Sequence, residues 1–240
     1  MIVIVSYDPT DPESILKAES TKRSIEKQSG WDPVLRPKIS REFHLQSPHR
    51  KWIKNGKMKS HEDKIEKYSE EESQFYQSFV NYQIEARSHF LFWQSCFSSK
   101  KPMAFIEAGM YCYGDWENLK FNDCLMLHFQ HAFDYPTAYE KYYLHTPKNR
   151  EHGTHQISDR YPLENSQENE FKGSRMIAGA DAYVVTPKGA KKLIDGVTKY
   201  GLDQASHVIN TKLVNIDYLF PSTFRYDVPD LLVTDGTRLP

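Results

Sequence analysis

The feature that most constrains the fold is a short apolar run followed directly by a capped helix. Residues 182–185 read Ala-Tyr-Val-Val, a composition that favours a β-strand. Thr186 is a suitable N-cap, and Pro187 stands at the first helical position, where a missing N–H costs nothing. The next apolar residues recur at helical spacing: Ala190, Leu193, Ile194 and Val197. A strand that passes into an amphipathic helix predicts an α/β fold with a mostly parallel sheet flanked by helices.

The N-terminal segment follows the same pattern. Residues 2–6 form a β-rich run, residues 7–12 are rich in turn formers, and residues 13–28 are predicted to be a helix with Ile15, Leu16 and Ile25 as its sparse apolar positions. Open α/β sheets bind their ligands at the carboxyl ends of such strands. Ser6 and Tyr7 are therefore candidate ligand contacts, although an ordinary turn at the end of a strand explains them nearly as well.

A second helix and a central strand are predicted further along the chain. Apolar residues recur at three- and four-residue steps across residues 73–97: Phe75, Phe79, Tyr82, Ala86, Phe90, Trp93 and Phe97. Lys100-Lys101-Pro102 ends this helix, and residues 103–106 form an apolar strand that leads to Glu107. A carboxylate at the end of such a strand faces the cleft above a parallel sheet, where it can bind a metal, orient a sugar hydroxyl or act as a base. The structural alternative is a carboxylate that hydrogen-bonds a neighbouring loop.

The remaining segments predict one domain over residues 1–240, since no repeat or linker divides the chain. Val34-Leu35 starts a second strand, residues 36–60 form a basic, irregular insertion, and residues 134–172 form long polar loops. Residues 208–220 are predicted as strand or loop.

Charge is balanced overall and uneven locally. The chain has 31 Lys and Arg against 32 Asp and Glu, so no global field directs it to nucleic acid or membrane. Residues 17–59 nevertheless hold 12 basic and 4 acidic residues, with Trp31, Phe43 and Trp52 among them. Cations interleaved with aromatic rings suit a nucleic acid, which they can bind through its phosphates and stacked bases. A solvated basic face is the alternative reading.

Cysteine usage and hydropathy exclude several classes. Cys96, Cys112 and Cys124 are an odd set without CxxC spacing, which argues against a disulfide framework and a zinc cluster. The apolar opening of five residues lacks the features of a signal peptide. No stretch approaches the roughly 20 apolar residues of a membrane span. We therefore expect a cytoplasmic protein.

Three blocks together resemble the lipooligosaccharide glycosyltransferase family (family twenty-five) and related glycosyltransferases of tailed phages. Ser88-His89 followed by Leu91-Phe92-Trp93 is similar to the family's Ser-His helix. Phe105-Ile106-Glu107 looks like the strand that ends in the family's Glu-Asp-Asp. Residues 179–194 resemble its Ala-Tyr strand and Lys-rich helix, and they are the most specific block. The resemblance covers roughly residues 84–220, and a phage origin would place the protein in the host cytoplasm.

The resemblance implies a GT-A fold, a nucleotide-sugar donor and a divalent cation, Mn²⁺ or Mg²⁺, held by an acidic pair. Hard cations take oxygen ligands and bridge diphosphate oxygens. This chain reads Glu107-Ala108-Gly109 at that place, without either aspartate. It also reads Ala205-Ser206-His207 where the family has an Asp near position 206. These departures argue against a bound metal, so no metal ligands are predicted, and Arg, Lys or helix N-termini would have to neutralise the diphosphate.

The resemblance also suggests roles for individual residues. Arg87 and His89 would lie near the donor with Ser6 and Tyr7. The alternatives are that Arg87 lies on the solvated face of the helix and that His89 is a buried packing residue. The predicted catalytic carboxylates are Glu107, Asp181 and Asp203, and Asp217 is a weaker substitute for the missing pair.

Four histidines suggest a metal site at first sight: His128, His131, His152 and His155. Without a third ligand at a known spacing, a metal site is less favoured than the alternative, in which these histidines lie by chance in solvated loops.

Three functions remain open from the sequence. The first is a nucleotide-sugar-dependent glycosyltransferase that acts on hydroxymethylated pyrimidines of phage DNA, a substrate that must present its base in the groove or flip it out. The second is a non-catalytic member that binds nucleic acid or a partner protein. The third is a glycosyltransferase that acts on a cell-envelope glycan.

Overall fold

A seven-stranded mixed sheet in the order β2-β1-β5-β9-β7-β10-β8 forms the centre of the computed structural model. The structure describes residues 1–40, 51–54, 57–60, 70–114, 116, 119–128, 153–157, 164, 171–177, 179–220 and 222–226, with only the backbone for 51–54, 57–60 and 70–80. Strands lie at Ile2–Tyr7 (β1), Val34–Pro37 (β2), Lys51–Lys54 (β3), Lys57–Ser60 (β4), Met103–Glu107 (β5), Met110–Cys112 (β6), Cys124–Met126 (β7), Gly153–Gln156 (β8), Ala182–Val185 (β9), Ile216–Phe220 (β10) and Phe224–Tyr226 (β11). Helices lie at Pro12–Ser29 (α1), Glu70–Ser99 (α2), Pro187–Tyr200 (α3) and Ala205–Val208 (α4).

Five strands of the sheet run in one direction. β2, β1 and β5 pair in parallel, β9 pairs antiparallel with both β5 and β7, and β10 pairs in parallel with β7. β8 is antiparallel to β10 at the sheet's end. The α/β prediction with a mostly parallel sheet is therefore confirmed. We call the edge where the five parallel strands end, and where β9 begins, the carboxyl edge.

The first helix begins and ends as its sequence indicates. Asp11 caps α1, with its side chain accepting a hydrogen bond from the Glu13 backbone N–H, and Pro12 occupies the first turn. Gly30 ends the helix at φ 64°, a left-handed conformation that glycine adopts without a steric penalty. The helix buries small and polar positions as well as Ile25, whereas Leu16 is 70% exposed.

Two apolar layers cover the two faces of the sheet. On one face, Val3, Val5 and Ile106 pack against Ala18 and Ile25 of α1. On the other, alternate strand residues pack against α2 and α3: Ile4, Phe105, Tyr183, Phe92, Trp93 and Leu193. Because the chain leaves β1 through α1 to reach β2 and returns through α2 to β5, the two helices lie on opposite faces. The switch point of the sheet therefore lies between β1 and β5.

The predicted strands at residues 2–6, 103–106 and 182–185 and the helices at 13–28 and 73–97 are confirmed, with no end shifted by more than three residues. The irregular reading of residues 36–60 was wrong where β3 and β4 pair as an antiparallel hairpin. Asn55-Gly56 between them is a hairpin signal that the prediction overlooked. The prediction of loops across residues 134–172 was wrong at β8, which pairs with β10. Most of the other residues in this range lie outside those that the structure describes. Residues 208–220 divide into the end of α4, a loop and β10.

Across the described part of the chain, no helix combines the length and apolar character that crossing a membrane requires. A smaller antiparallel sheet joins β6 to β11. The large sheet takes strands from residues 2 to 220, while the assignment of one domain to residues 1–240 stays a prediction.

Candidate site at the carboxyl edge

The switch point brings the ends of β1, β2 and β5 together. Ser6 lies opposite Glu107 in the parallel register, and the Ala108 backbone N–H donates to the Ser6 carbonyl at 2.9 Å. The Lys38 N–H donates to the Tyr7 carbonyl at 2.8 Å, directly after β2. Parallel strands necessarily end at the same edge, so residues that are far apart in sequence meet there.

Lys38 and Glu107 form an ion pair at this edge. The Lys38 ammonium contacts Oε1 of Glu107, and the two side chains are 21% and 20% exposed. Burial raises the pKa of Glu107 to about 7, against the opposing effect of Lys38. Burial by itself lowers the pKa of Lys38, and the Glu107 carboxylate outweighs it, so that this pKa lies above its ordinary value. The Lys38 ammonium already contacts one of the two oxygens that Glu107 could offer to a divalent cation, so this carboxylate is a poor metal ligand.

Two further carboxylates surround the pair. Asp181 precedes β9, and its backbone carbonyl accepts a hydrogen bond from the Glu107 N–H at 2.7 Å. Glu85 projects from α2, and burial, followed by nearby Asp181, raises its pKa while Lys38 opposes that rise. A pocket of about 200 Å³ lies beside them, lined by Glu85, Gly179, Asp181, Gln204, Ala205 and Ser206.

His128 and Tyr226 lie on another side of Asp181. Nδ1 of His128 is 3.6 Å from Oδ2 of Asp181, and the His128 ring packs edge-on against Tyr226 with centroids 5.6 Å apart. Burial raises the pKa of Tyr226, and Asp181 and Glu107 raise it further. The phenol therefore stays protonated at neutral pH.

A second cavity lies on the α2 face beside β1 and β2. It measures about 350 Å³, and the residues relevant below are Ile4, Ser6, Arg36, Ser88, Phe92 and Phe105. Nη1 of Arg36 donates to Oγ of Ser95 at 3.2 Å, and Oγ of Ser88 accepts a hydrogen bond from the Ile39 N–H. Pro37 and Ile39, on either side of Lys38 in sequence, line this groove. Asp181, whose carbonyl accepts the Glu107 N–H, lines the acidic pocket, so the ion pair adjoins residues of both cavities.

His89 lies beneath the carboxyl edge in the aromatic core. The residue is 1% exposed, and its ring lies 4.1 Å from that of Phe105, centroid to centroid. Its Nδ1 is 2.9 Å from the Tyr183 hydroxyl, which also accepts a hydrogen bond from Nε1 of Trp93. Burial lowers the pKa of His89 to about 3, so the ring is neutral at physiological pH. Contact between this ring and a bound diphosphate would require it to leave the core.

The other predicted residues are spread around the molecule. Ser6 is buried at 3% exposure and Tyr7 is half-buried at the end of β1. Arg87 lies half-buried on α2, two positions from Glu85 and from His89 and so about 200° around the helix from each. Asp203 lies just before α4. Its Oδ1 accepts a hydrogen bond from the Gln204 N–H at 2.6 Å, and its Oδ2 lies 3.4 Å from Nδ1 of His207.

Asp217 and His155 lie away from the Glu107 pair. Oδ2 of Asp217 accepts a hydrogen bond from the Asn122 N–H at 3.2 Å. Because Asn122 lies just before β7 begins, this contact is toward the edge opposite the carboxyl edge. His155 packs on Tyr218 across the β8–β10 pair. His131 and His152 lie outside the described residues. Within those that are described, no group of three or more His, Cys, Asp or Glu side chains could hold a metal ion.

Sequence analysis missed Lys38 and Glu85. Lys38 directly follows the second predicted strand, the type of position that drew attention to Ser6, Tyr7 and Glu107. Glu85 precedes His89 by four residues, which on an α-helix places both on one face. Both signals were present in the sequence, but neither says that the two side chains approach Glu107.

Comparison with known proteins assigns no family. No model of a known protein family matches the chain. No curated protein matches it either.

Proposed function

We propose that the chain is a glycosyltransferase of GT-A type that takes its sugar from a nucleotide-sugar donor and works without a divalent cation. The observation that carries this proposal is the Lys38–Glu107 pair at the switch point, next to residues that line a groove and an acidic pocket. Ligands of open α/β sheets bind outside the carboxyl ends of the strands at such a point.

The groove suits the nucleoside part of the donor. Ile4, Phe92 and Phe105 supply apolar surface on which a flat base can pack. Ser6 and Ser88 add hydroxyl groups at its wall, and Arg36 adds a guanidinium that can pair with a phosphate. An apolar cavity with a few polar groups is typical of a cofactor site.

Lys38 is the residue that we assign to the diphosphate. It is held at the junction of groove and pocket, and its positive charge is fixed by the neighbouring carboxylates. A cation at that place can stabilise the charge that develops on a departing nucleoside diphosphate. In this proposal, the ammonium supplies the charge that a metal supplies in the family that the sequence resembles.

Glu107 is the base that we assign to the acceptor hydroxyl. As the acceptor oxygen forms its bond to the sugar and the bond from sugar to diphosphate breaks, the hydroxyl proton passes to the Glu107 carboxylate. A base with a pKa of about 7 suits this step, because it is both available and strong enough at neutral pH. Asp181 lines the sugar pocket in this arrangement, and Asp203 positions α4, whose Ala205 and Ser206 form the opposite wall.

Ligand-dependent stability tests the donor site. Purified protein would be heated with a panel of nucleotide sugars, each with Mn²⁺ and with EDTA. A donor at 100 times its dissociation constant adds about 2.7 kcal/mol of stability, and we expect the same shift in both conditions. A folded sample that responds to no donor contradicts the proposal, and a shift that requires Mn²⁺ contradicts its metal-free part.

Glu107→Gln tests the base. We expect kcat to fall by about 10²- to 10⁴-fold while donor binding remains, because the amide cannot take the proton. Asp195→Asn is the matched control, since Asp195 pairs with Lys191 on the surface of α3. Equal activity of Glu107→Gln and the control would remove Glu107 from the mechanism.

A second candidate function, nucleic-acid binding, is favoured by the β3–β4 hairpin. Four of its eight strand residues are lysines, and Lys54 pairs with Lys57 in the antiparallel register. The major groove of B-DNA admits a two-stranded ribbon, and lysines pair with phosphates. The same hairpin would serve a DNA-modifying transferase or a non-catalytic DNA-binding protein.

Binding to duplex DNA at several salt concentrations tests this candidate. We expect replacement of Lys51, Lys54, Lys57 and Lys59 by Gln to reduce both affinity and its salt dependence. Replacement of Lys172, Lys188, Lys199 and Lys212 changes the charge equally elsewhere and should leave both unchanged. DNA binding without any donor binding would favour the non-catalytic function, and equal losses in both variants would remove the hairpin from DNA contact.

A further inference from the structure

Two acidic residues line the pocket beside Asp181. Its polar lining residues are Glu85, Asp181, Gln204 and Ser206. An ionised carboxylate only accepts hydrogen bonds, so a ligand that contacts Glu85 or Asp181 has to bring donors to them. Hydroxyl and ammonium groups meet that requirement, and a carboxylate on the ligand does not.

Glu85 has acceptor capacity that none of the described residues uses. Among the described residues, no group donates a hydrogen bond to its carboxylate, and the charges that act on it are those of Lys38 and Asp181. The Lys38 ammonium is in contact with Glu107 instead. A half-buried carboxylate without a donor is a costly arrangement unless water or a ligand supplies one.

The charges around the pocket are unequal. With all groups ionised, Glu85, Glu107 and Asp181 carry three negative charges against the single positive charge of Lys38. His128, 3.6 Å from Asp181, adds a positive charge only when it is protonated. A second anion placed in the pocket would meet two acidic residues at its wall, and the Lys38 ammonium is already assigned to the diphosphate in the proposed function.

The size of the pocket limits what can occupy it. At about 200 Å³, it is smaller than the roughly 300–1,000 Å³ of pockets that enclose drug-sized ligands. One sugar ring is a suitable occupant, and the bulkier nucleoside belongs in the neighbouring groove of about 350 Å³.

We propose that this pocket receives the transferred sugar and selects a neutral or amino sugar against one that carries a carboxylate. The inference rests on the proposed function, because it specifies the donor of the same site. Glu85 and Asp181 accept hydrogen bonds from the sugar hydroxyls, and their charge repels the carboxylate of a uronic acid.

The test compares donors that differ only in this carboxylate. Dissociation constants of UDP-glucose and UDP-glucuronic acid, and of GDP-mannose and GDP-mannuronic acid, would be measured by calorimetry on the full chain. We expect the neutral member of a bound pair to bind at least about tenfold more tightly. Equal or tighter binding of the uronic acid overturns the inference.

Two carboxylate-to-amide variants assign the effect to the pocket. Glu85→Gln and Asp181→Asn should each reduce the ratio between the two donors, because each removes one negative charge and keeps the shape. Glu19→Gln, on the exposed side of α1, should leave the ratio unchanged. An unchanged ratio in both pocket variants overturns the assignment, and if one variant does not fold, the other and the wild-type ratio decide.

The same experiment separates the two levels of the proposal. If both members of a pair bind and the ratio is near one, the inference fails and the proposed donor site stands. If a folded protein binds no nucleotide sugar of either charge, the proposed function fails, and the inference fails with it.

Discussion

The Tyr183 hydroxyl satisfies two buried neighbours at once. It accepts the indole N–H of Trp93 at 2.9 Å and lies 2.9 Å from Nδ1 of His89. All three residues belong to the layer between the sheet and α2, where water does not reach them. A buried donor that loses its acceptor bears the full cost of desolvation.

Tyr183→Phe should therefore lower the free energy of unfolding by about 1–3 kcal/mol, because the Trp93 N–H loses its acceptor. Chemical denaturation measures the change. Tyr82→Phe is the control, since Tyr82 lies on α2 and its side chain is not enclosed in the core, with 48% of the residue exposed. Equal stability of the two variants would show that this hydroxyl contributes nothing measurable.

The raised pKa of Glu107 predicts a dependence of stability on pH. The unfolded carboxyl loses its proton near its ordinary pKa of 4.5, while the folded one keeps it up to about 7. Between these values the folded state binds more protons, so stability falls as pH rises and levels off above pH 7. The contribution of this group is on the order of 3 kcal/mol for the full shift.

Denaturation of wild type and Glu107→Gln at pH 5 and pH 8 isolates that contribution. The wild type should lose more stability than the variant between the two values, because glutamine does not titrate. Parallel curves for the two proteins would mean that Glu107 has an ordinary pKa in the folded state.

At the scale of one element, α3 depends on the absence of a side chain at Gly189. A Cβ at this position would lie 2.3 Å from the Asp123 carbonyl oxygen, and backbone cannot move aside as easily as a side chain. The helix thereby reaches the segment before β7, where Thr186 also donates to the Asn122 carbonyl at 3.1 Å.

Gly189→Ala should destabilise the protein by about 1–3 kcal/mol or more, despite the better helix propensity of alanine. Gly196→Ala is the matched control on the same helix. Its Cβ would meet Cδ1 of Leu213 at 2.5 Å, a side-chain end that can rotate, so the loss should be smaller. Thermal unfolding of both variants measures the difference, and the reverse order would contradict this view of α3.

At the scale of the whole molecule, Asp123 links three elements at the edge opposite the candidate site. Its Oδ2 accepts a hydrogen bond from Nζ of Lys192 in α3 at 2.5 Å. The same oxygen accepts another from the N–H of Asn215, just before β10, at 3.0 Å. The residue is fully buried just before β7, so these contacts connect separate parts of the sheet and one of its covering helices.

Asp123→Ala should cost about 1–3 kcal/mol, because the Asn215 N–H loses its acceptor and Lys192, whose side chain is 37% exposed, loses its carboxylate partner. Asp195→Ala, which removes an exposed pair with Lys191, should cost at most about 0.5 kcal/mol. Far- and near-ultraviolet circular dichroism during denaturation measure both variants. Similar losses would show that the buried link is no stronger than a surface pair.

Much of the fold was predictable because its signals are local. The cap at Thr186, the proline that follows it and the period of the apolar residues place α3 within the sequence itself. Strand β9 was predictable for the same reason. The positions of β6, β7, β8 and β11 were not, because each has three or four residues and forms only by pairing with a distant strand.

The candidate site divides in the same way. The sequence by itself determined that Ser6, Tyr7 and Glu107 stand at the ends of strands, because strand length and turn chemistry are local properties. Only the tertiary structure decided that Lys38 contacts Glu107, that Glu85 approaches them from α2, and that His89 lies in the core. Those positions depend on strand order and helix packing, which join residues that no local pattern relates.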